Sequence, residues 1–383
     1  MEKLRLGVLG GARGTQIVRR GFQGELAQIV IVCEPDERLC RQAELQLSPL
    51  GVRCTSDFGK LLSAGLDAVI IANEADRHAS FAIKALRHGL HVLSYPQPVS
   101  TLDEACSLER TVRESGKIYA LAESYCYRRG VVHARDMIKQ GDIGNIVYAE
   151  GSCIGAELRQ IRTGDEDWRN YVPSSFMCTH SIGPMLYASG LRAVRVNGAE
   201  TQRTRQLAKA GAKNGSAAVE LLEFDGGAIG RSLHGSLMCP PDAELKLYGE
   251  SGVIEISGER VTLHDFSGGR KVSTTTIPAS HKFIGCRRYS DDFENAEASA
   301  IACFVGKILG DADASAYSID IYRAFDMSLP GLLAYRSILD GGRSFIVPDM
   351  RTDEGREFCR GDRFTTDPRA DARYRLPTNK NRR

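Results

Sequence analysis

The chain has 383 residues, too many for one ordinary core and about right for two domains. Its 42% apolar and 26% charged residues describe a soluble globular protein. A net charge of +2 gives no reason to expect nucleic acid or an anionic membrane as a partner, and no apolar run approaches the roughly 20 residues of a spanning helix.

The first 125 residues alternate between strand and helix. Leu4–Leu9 reads as a short apolar strand that runs into a glycine-rich turn, GVLGGARG (Gly7–Gly14), and a helix. Because that strand begins almost at Met1, no signal peptide is expected. Further strands are predicted at Ile29–Cys33, Asp67–Ala72, His91–Leu93 and Lys117–Ala122. DAVIIA is apolar throughout, as suits a strand covered on both faces. Asp76–Gly89 reads as a helix with Ala79, Ile83 and Leu86 on one face, and Thr101–Glu104 as a capping box opening a helix that stops at Gly116. This alternation predicts a parallel doubly wound sheet.

After Tyr127 the pattern changes. A helix (Val131–Gln140) and a strand (Ile146–Cys153) precede a polar, loop-like region to about Ser174. Ala217–Ile277 is rich in strands and Gly turns, as in antiparallel hairpins, and helices are expected at Glu294–Leu309 and Ser318–Leu339. The predicted organisation is an α/β Rossmann-type domain over residues 1–125 and an α+β domain over 126–383. The basic end, RYRLPTNKNRR, reads as a solvated tail. Eleven cysteines stand singly with no CxxC, which points to free thiols in a reducing, cytoplasmic compartment. No HxH, HExxH or Cys/His cluster suggests a metal, and no GxSxG elbow occurs.

Gly10, Gly11 and Gly14, with Ala12 and Arg13 between them, sit where a dinucleotide fold turns from strand to helix. Glycines there let the backbone approach a pyrophosphate, and the helix start offers free N–H groups. Glu34 closes the second strand about twenty residues further on, where a carboxylate takes the ribose hydroxyls and repels a 2′-phosphate. This favours NAD over NADP; the alternative is a plain loop carboxylate, and Arg38 stands nearby.

The glycine turn, CEPD (Cys33–Asp36), the strand with Asn73…His78, HVLSYPQP (His91–Pro98), GESGVIEI and RSFIVPD together resemble the Gfo/Idh/MocA oxidoreductases. That resemblance implies a Rossmann domain joined to a domain with a large open antiparallel sheet. It also implies a nicotinamide cofactor, a sugar or cyclitol substrate, and a homodimer or homotetramer formed through the sheet. Where the family usually has Glu-Lys-Pro this chain has Pro96-Gln97-Pro98, and where it has Asp-x-x-x-His this chain has Phe176…His180. An amide cannot take a hydroxyl proton, so Gln97 can only orient a hydroxyl or the cofactor carboxamide. ALAESYCY (Ala120–Tyr127), GNIVYAEGSCI, DWR (Asp167–Arg169) and THSIGP (Thr179–Pro184) are similar to the NAD-dependent glycosidases of the same fold, which lack the lysine too. Their chemistry is redox-neutral: oxidation at carbon 3 of the sugar, elimination of the aglycone, hydration and return of the hydride.

His180 is the candidate base, since imidazole titrates near neutrality; the rival is a buried structural histidine. Tyr125 and Tyr127, after the last Rossmann strand, can relay a proton or stack on a sugar, or simply pack. In the resembled family the loop of Asn73 and His78 contacts the cofactor; Glu123 is expected to approach the nicotinamide side, the alternative being a cap or salt bridge, and Gln97 is a further cofactor candidate. Tyr148, Trp168, Arg169 and Tyr171 are candidates for the substrate, with His180. Trp168 could equally anchor an interface. The expected function is NAD-dependent oxidation or reduction of a sugar or glycoside hydroxyl. The alternatives are the redox-neutral glycosidase route, a dehydratase or isomerase using transient oxidation, and a non-catalytic NAD-binding regulator.

Overall fold

A computed structural model of the chain describes residues 2–155, 168–236, 244–258, 260–266, 272–276, 289 and 291–378. In chain order it contains β1 (Leu4–Leu9), α1 (Gly11–Arg20), β2 (Ala27–Cys33), α2 (Glu37–Leu47), β3 (Arg53–Thr55), α3 (Phe58–Leu62), β4 (Ala68–Ile71), α4 (His78–Arg87), β5 (His91–Ser94), α5 (Leu102–Ser115) and β6 (Tyr119–Leu121). Then come α6 (Arg129–Gln140), β7 (Ile146–Ile154), α7 (Thr179–Ser189), β8 (Ala193–Glu200), α8 (Arg205–Lys209), β9 (Ala217–Phe224), β10 (Ile229–Gly235), β11 (Glu244–Gly249), β12 (Gly252–Ser257), β13 (Arg260–Asp265) and β14 (Val272–Thr276). Last are α9 (Asp292–Ile308), α10 (Ala312–Tyr317), α11 (Ile321–Leu339), β15 (Phe345–Ile346) and α12 (Asp353–Cys359).

Two compact units result: residues 1–127 with 282–324, and 128–281 with 325–383. The sequence division puts the late helices in the second domain, whereas α9 and α10 pack into the first. Helix α9 buries residues all around its circumference, from Ala296 to Gly306. Such a helix must be covered on every side, but its own pattern does not say by what.

The first unit is a six-stranded, wholly parallel sheet in the order β3-β2-β1-β4-β5-β6. Every residue of β4 is buried, which explains its unbroken apolar run. Chain direction across the sheet reverses between β1 and β4, the switch point at which doubly wound sheets take their ligands. Strand β3 and helix α2 were not anticipated; β3 has only three residues, too few for a period to show. Helix α5 starts as foreseen, with Thr101 Oγ1 accepting the Glu104 N–H at 3.1 Å. The reciprocal bond is shifted by one residue: Glu104 Oε2 accepts from Ser100 N–H at 2.7 Å. Burial pushes the Glu104 carboxyl up to about 7.

The second unit carries a nine-stranded sheet, β14-β13-β12-β11-β7-β10-β9-β8-β15. It is antiparallel except for the β7–β10 pair, which is parallel. Helix α7 lies on one face of it. A Cβ on Gly151 would stand 2.4 Å from the Ser181 carbonyl oxygen, so glycine lets helix and strand approach backbone to backbone. Burial along β7 alternates, with Ala149, Gly151 and Cys153 buried toward the helix and Tyr148, Glu150 and Ser152 on the other side. No helix among the described residues is long and apolar enough to cross a membrane.

Candidate functional site

In the first unit the glycine turn is held by the sheet. Gly10 has φ 118° and ψ 97°, and its N–H donates to the Cys33 carbonyl at 2.9 Å. A Cβ there would lie 2.4 Å from the Ala72 carbonyl oxygen, at the end of β4. Helix α1 begins at the next residue, so the Gly11, Ala12 and Arg13 N–H groups have no acceptor within the helix. Gly11 donates to Glu34 Oε2 at 2.9 Å, and Glu34 Oε1 accepts from Asp36 N–H at 3.2 Å. Gly14 packs against β2, where a Cβ would come within 2.8 Å of Val32. The turn, the helix start and the Glu34 carboxylate therefore converge at the switch point. A backbone that accepts no Cβ, free N–H donors and an acidic side chain at the second strand end fit a dinucleotide without a 2′-phosphate.

Arg13 contributes to this cradle only through its main chain. Its guanidinium is taken by Glu297 of α9 at 2.6 Å and by Gln16 at 2.8 Å, and it lies 5.2 Å over the Tyr95 ring. Glu297 is itself buried, and the burial pushes its carboxyl upward against the opposing pull of Arg13.

His78 is buried between two loops of the first unit. The ring is 1% exposed, with Nδ1 at 2.9 Å from the Gln97 carbonyl oxygen and Nε2 at 3.2 Å from that of Asn73. Burial lowers its pKa, against the backbone carbonyls that favour the charged form. His78 ties the Asn73 loop to the Tyr95-Pro96-Gln97 loop. Asn73 Oδ1, next to the switch point, is buried with no hydrogen-bond partner in the described structure. Gln97 is fully buried and its peptide bond with Pro96 is cis. Glu123, also fully buried, caps the turn Ser124–Tyr127 by accepting from the Tyr125 N–H at 3.2 Å. In that turn Tyr127 is buried, while Tyr125 is half-buried with its ring edge on Phe293 of α9 at 5.7 Å.

In the second unit His180 is the second residue of α7 and is half-buried. Its ring centroid lies 5.9 Å from that of His234 on β10. His234 is 1% exposed, with Nδ1 2.8 Å from the Ser174 carbonyl oxygen. The short turn Ser174–Met177 leads into α7, and its Phe176 ring meets Trp168 at 6.5 Å. Arg169 stacks over Trp168 at 4.6 Å, and the Tyr171 carbonyl is held by Asn214 at 2.6 Å. Trp168, Arg169 and Phe176 thus form one group, while Tyr171 is tied to Asn214 and His180 faces His234. Residues 156–167, which hold the Asp167 of DWR, lie outside the described part.

Tyr148 does not join that group. It sits on the face of the sheet opposite α7, donating to Glu150 Oε1 at 2.9 Å and leaning on Tyr248 at 5.5 Å. Strand alternation separates it from His180, and a substrate held on one side cannot touch both. His234 and Glu220 are the residues that sequence reasoning passed over. The signal available was hairpin arithmetic about Asp225-Gly226-Gly227, which sets Ser232 opposite Glu220 and puts His234 on the same face.

Residues 4–123 match the family described as "Oxidoreductase family, NAD-binding Rossmann fold" (GFO_IDH_MocA). A protein named glycosyl hydrolase family 109 protein from Stenotrophomonas maltophilia is 28% identical over 160 residues, covering 39% of this chain and 35% of its own length. The matched stretch is thus well under two thirds of that relative. An oxidoreductase from Agrobacterium radiobacter, crystallised with NAD+, L-tartaric acid and magnesium, aligns with TM-score 0.73 over 90% of this chain and 99% of its own, at 14% identity. An inositol dehydrogenase homolog from Azotobacter vinelandii, crystallised with NADH and myo-inositol, aligns with TM-score 0.72 over 90% and 98%, at 19% identity. At these identities the two structures establish the fold across both units.

Proposed function

We propose, from the membership of residues 4–123 in the NAD-binding Rossmann oxidoreductase family, that the chain is an NAD-dependent enzyme acting on a hydroxyl of a sugar or glycoside. The observation that carries this reading is the glycine turn closed by Glu34, a cradle shaped for an unphosphorylated ribose next to a pyrophosphate. NAD, when bound, supplies a hydride acceptor. The chain's own residues do the rest. The N–H groups of Ala12 and Arg13 take pyrophosphate oxygens, and Glu34 takes ribose hydroxyls. His180 is the proton acceptor, because its half-buried imidazole can hold a proton near neutrality and Gln97 cannot. Trp168 offers an aromatic face to a sugar ring and Arg169 a fork of donors to its hydroxyls.

A second reading is favoured by Gln97 itself. A neutral amide in place of a lysine suits chemistry in which the hydride returns to the sugar, and the protein named glycosyl hydrolase family 109 protein is 28% identical over 160 residues. Incubation with NAD and panels of free sugars and aryl glycosides separates the two. Net formation of reduced cofactor supports a dehydrogenase, and aglycone release without it supports the redox-neutral route. NAD binding with neither outcome across the panel overturns both.

Glu34→Ala is expected to weaken NAD binding by roughly 10- to 100-fold, the net worth of about one charge-assisted hydrogen bond, and to narrow the preference over NADP. Calorimetric titration with both dinucleotides checks this; an unchanged preference would remove Glu34 from the ribose. The face of the second sheet that bears Tyr148 also carries exposed Leu221 and Ile229, which supports a homodimer or homotetramer formed through it. Light scattering of the purified chain tests that assignment.

A further inference from the structure

The second unit buries a carboxyl that the proposed reaction does not use. Glu220 is fully buried in the middle of β9, directly across from Ser232 of β10. Gly151, the residue against which α7 packs, pairs with Ser232 from the other side, so all three face the helix. Two positions along β10, on the same face, stands His234. Ser232 Oγ lies 2.8 Å from Ser181 Oγ, and Ser181 follows His180 in α7. A carboxyl placed here loses its hydration and must be answered by hydrogen bonds, by opposite charge, or by keeping its proton.

Hydrogen accounting narrows the choice. Ser181 has one hydroxyl proton, and its Oγ lies 3.0 Å from the Cys178 carbonyl, which can only accept. Both Glu220 carboxyl oxygens are buried with no hydrogen-bond partner among the described residues, so this group is answered by opposite charge or keeps its proton. Burial accordingly pushes Glu220 up to about 7, while Ser232 and His234 act in the opposite direction. From β8, Glu200 adds negative charge, and its carboxylate also accepts the Ser174 N–H at 3.3 Å. From α11, Tyr335 commits its hydroxyl to Asn214 and Pro377. The histidines, His234 first and His180 beyond it, are the groups that can answer the charge with a proton.

We propose that Glu220 is a positioning residue for His180, acting through His234: its carboxylate, buried on the sheet face that also bears His234, strengthens the hold of the two imidazoles on a proton. The role for His180 rests on the function proposed above, but the coupling between carboxyl and imidazoles does not. As in other carboxylate–imidazole pairs, the carboxylate never touches the reacting atoms; it stabilises the imidazolium that forms when the base has done its work. Because the groups interact, they titrate as a set.

The test is imidazole NMR of the full chain, without cofactor or substrate. In Glu220→Gln the titrations of His180 and His234 are expected to move down by about one pH unit, and Glu220→Asp to recover part of that shift. With a substrate found in the panel above, the acidic limb of kcat moves by the same amount and KM changes less than twofold. Carboxyl 13C NMR of the unmodified chain needs no variant: Glu220 is expected to titrate near 7. Histidine titrations that stay put in folded Glu220→Gln, or a Glu220 midpoint near the ordinary 4, overturn the proposal. If the histidines move but no sugar or glycoside is turned over, the coupling stands and the assigned reaction fails.

Discussion

Replacing His180 with alanine is expected to lower turnover by roughly 10²- to 10⁴-fold, the span that general-base catalysis covers, with NAD affinity changed less than twofold. The asymmetry follows from where the residues sit. The cofactor cradle is built from β1, α1 and the end of β2 in the first unit, whereas His180 belongs to α7 in the second. Removing the imidazole deletes a proton acceptor and leaves every group of the cradle in place. Gln97 cannot substitute, since an amide oxygen is not a base at neutral pH. His234 is a poor substitute as well: it is 1% exposed and its Nδ1 is engaged by the Ser174 carbonyl. Turnover of a panel substrate by His180→Ala, with NAD binding followed by calorimetry, decides the matter. Retained turnover would move the base elsewhere. Gln97→Lys, by contrast, is expected to give no simple gain in dehydrogenase activity. An ammonium placed in that fully buried position has to lose its hydration, and the aspartate that accompanies it in the family is Phe176 here.

The sequence made the cofactor end legible because its signals are local. A glycine turn, an apolar strand and an acidic strand end lie within about thirty residues, and periodicity needs nothing more distant to be read. Signals that depend on partners far along the chain are not carried by local periodicity. Tyr148 alternates correctly with Ala149 and Gly151, yet only the packing of Ser181 on Gly151 says which side of β7 the helix covers. The sequence places the loop of Asn73 and His78 at the cofactor only through the family resemblance, and says nothing of what the His78 ring touches. Its two carbonyl partners, from Asn73 and Gln97, come from separate strand ends and appear only once the sheet is assembled. Helix α9 was recognised as a helix from its apolar run, but its assignment to the first unit rests on contacts such as Glu297 with Arg13, 284 residues apart. Strand β8, with charged and polar residues at Arg195, Asn197 and Glu200, lacks the apolar run that marked the others.

Gly10→Ala is the second large effect expected, on stability and binding together. Gly116→Ala serves as the comparison, because both glycines have positive φ, 118° and 62°. The Gly116 position is a helix C-cap with no atom within 4 Å of a new Cβ, so alanine there costs only the left-handed strain, about 1 kcal/mol. At Gly10 the new Cβ meets the Ala72 carbonyl oxygen at 2.4 Å, the Ala72 carbonyl carbon at 2.7 Å and the Asn73 nitrogen at 3.1 Å. These are backbone atoms at the end of a strand buried on both faces, and they cannot swing aside as a side chain would. The turn must move away from β4, which breaks the Gly10 hydrogen bond to Cys33 and shifts the first turn of α1. The expected cost is roughly 3 kcal/mol, combining strain, overpacking and a lost bond. For a unit of this size that is a fall of about 6–12 °C in Tm. NAD affinity should drop with it, since Gly11, Ala12 and Arg13 carry the donors that the shifted turn misdirects. Thermal unfolding of both variants with and without NAD measures the difference. If Gly10→Ala melts within 2 °C of Gly116→Ala and binds NAD as the parent does, the close approach of the turn to β4 is not what shapes the cradle.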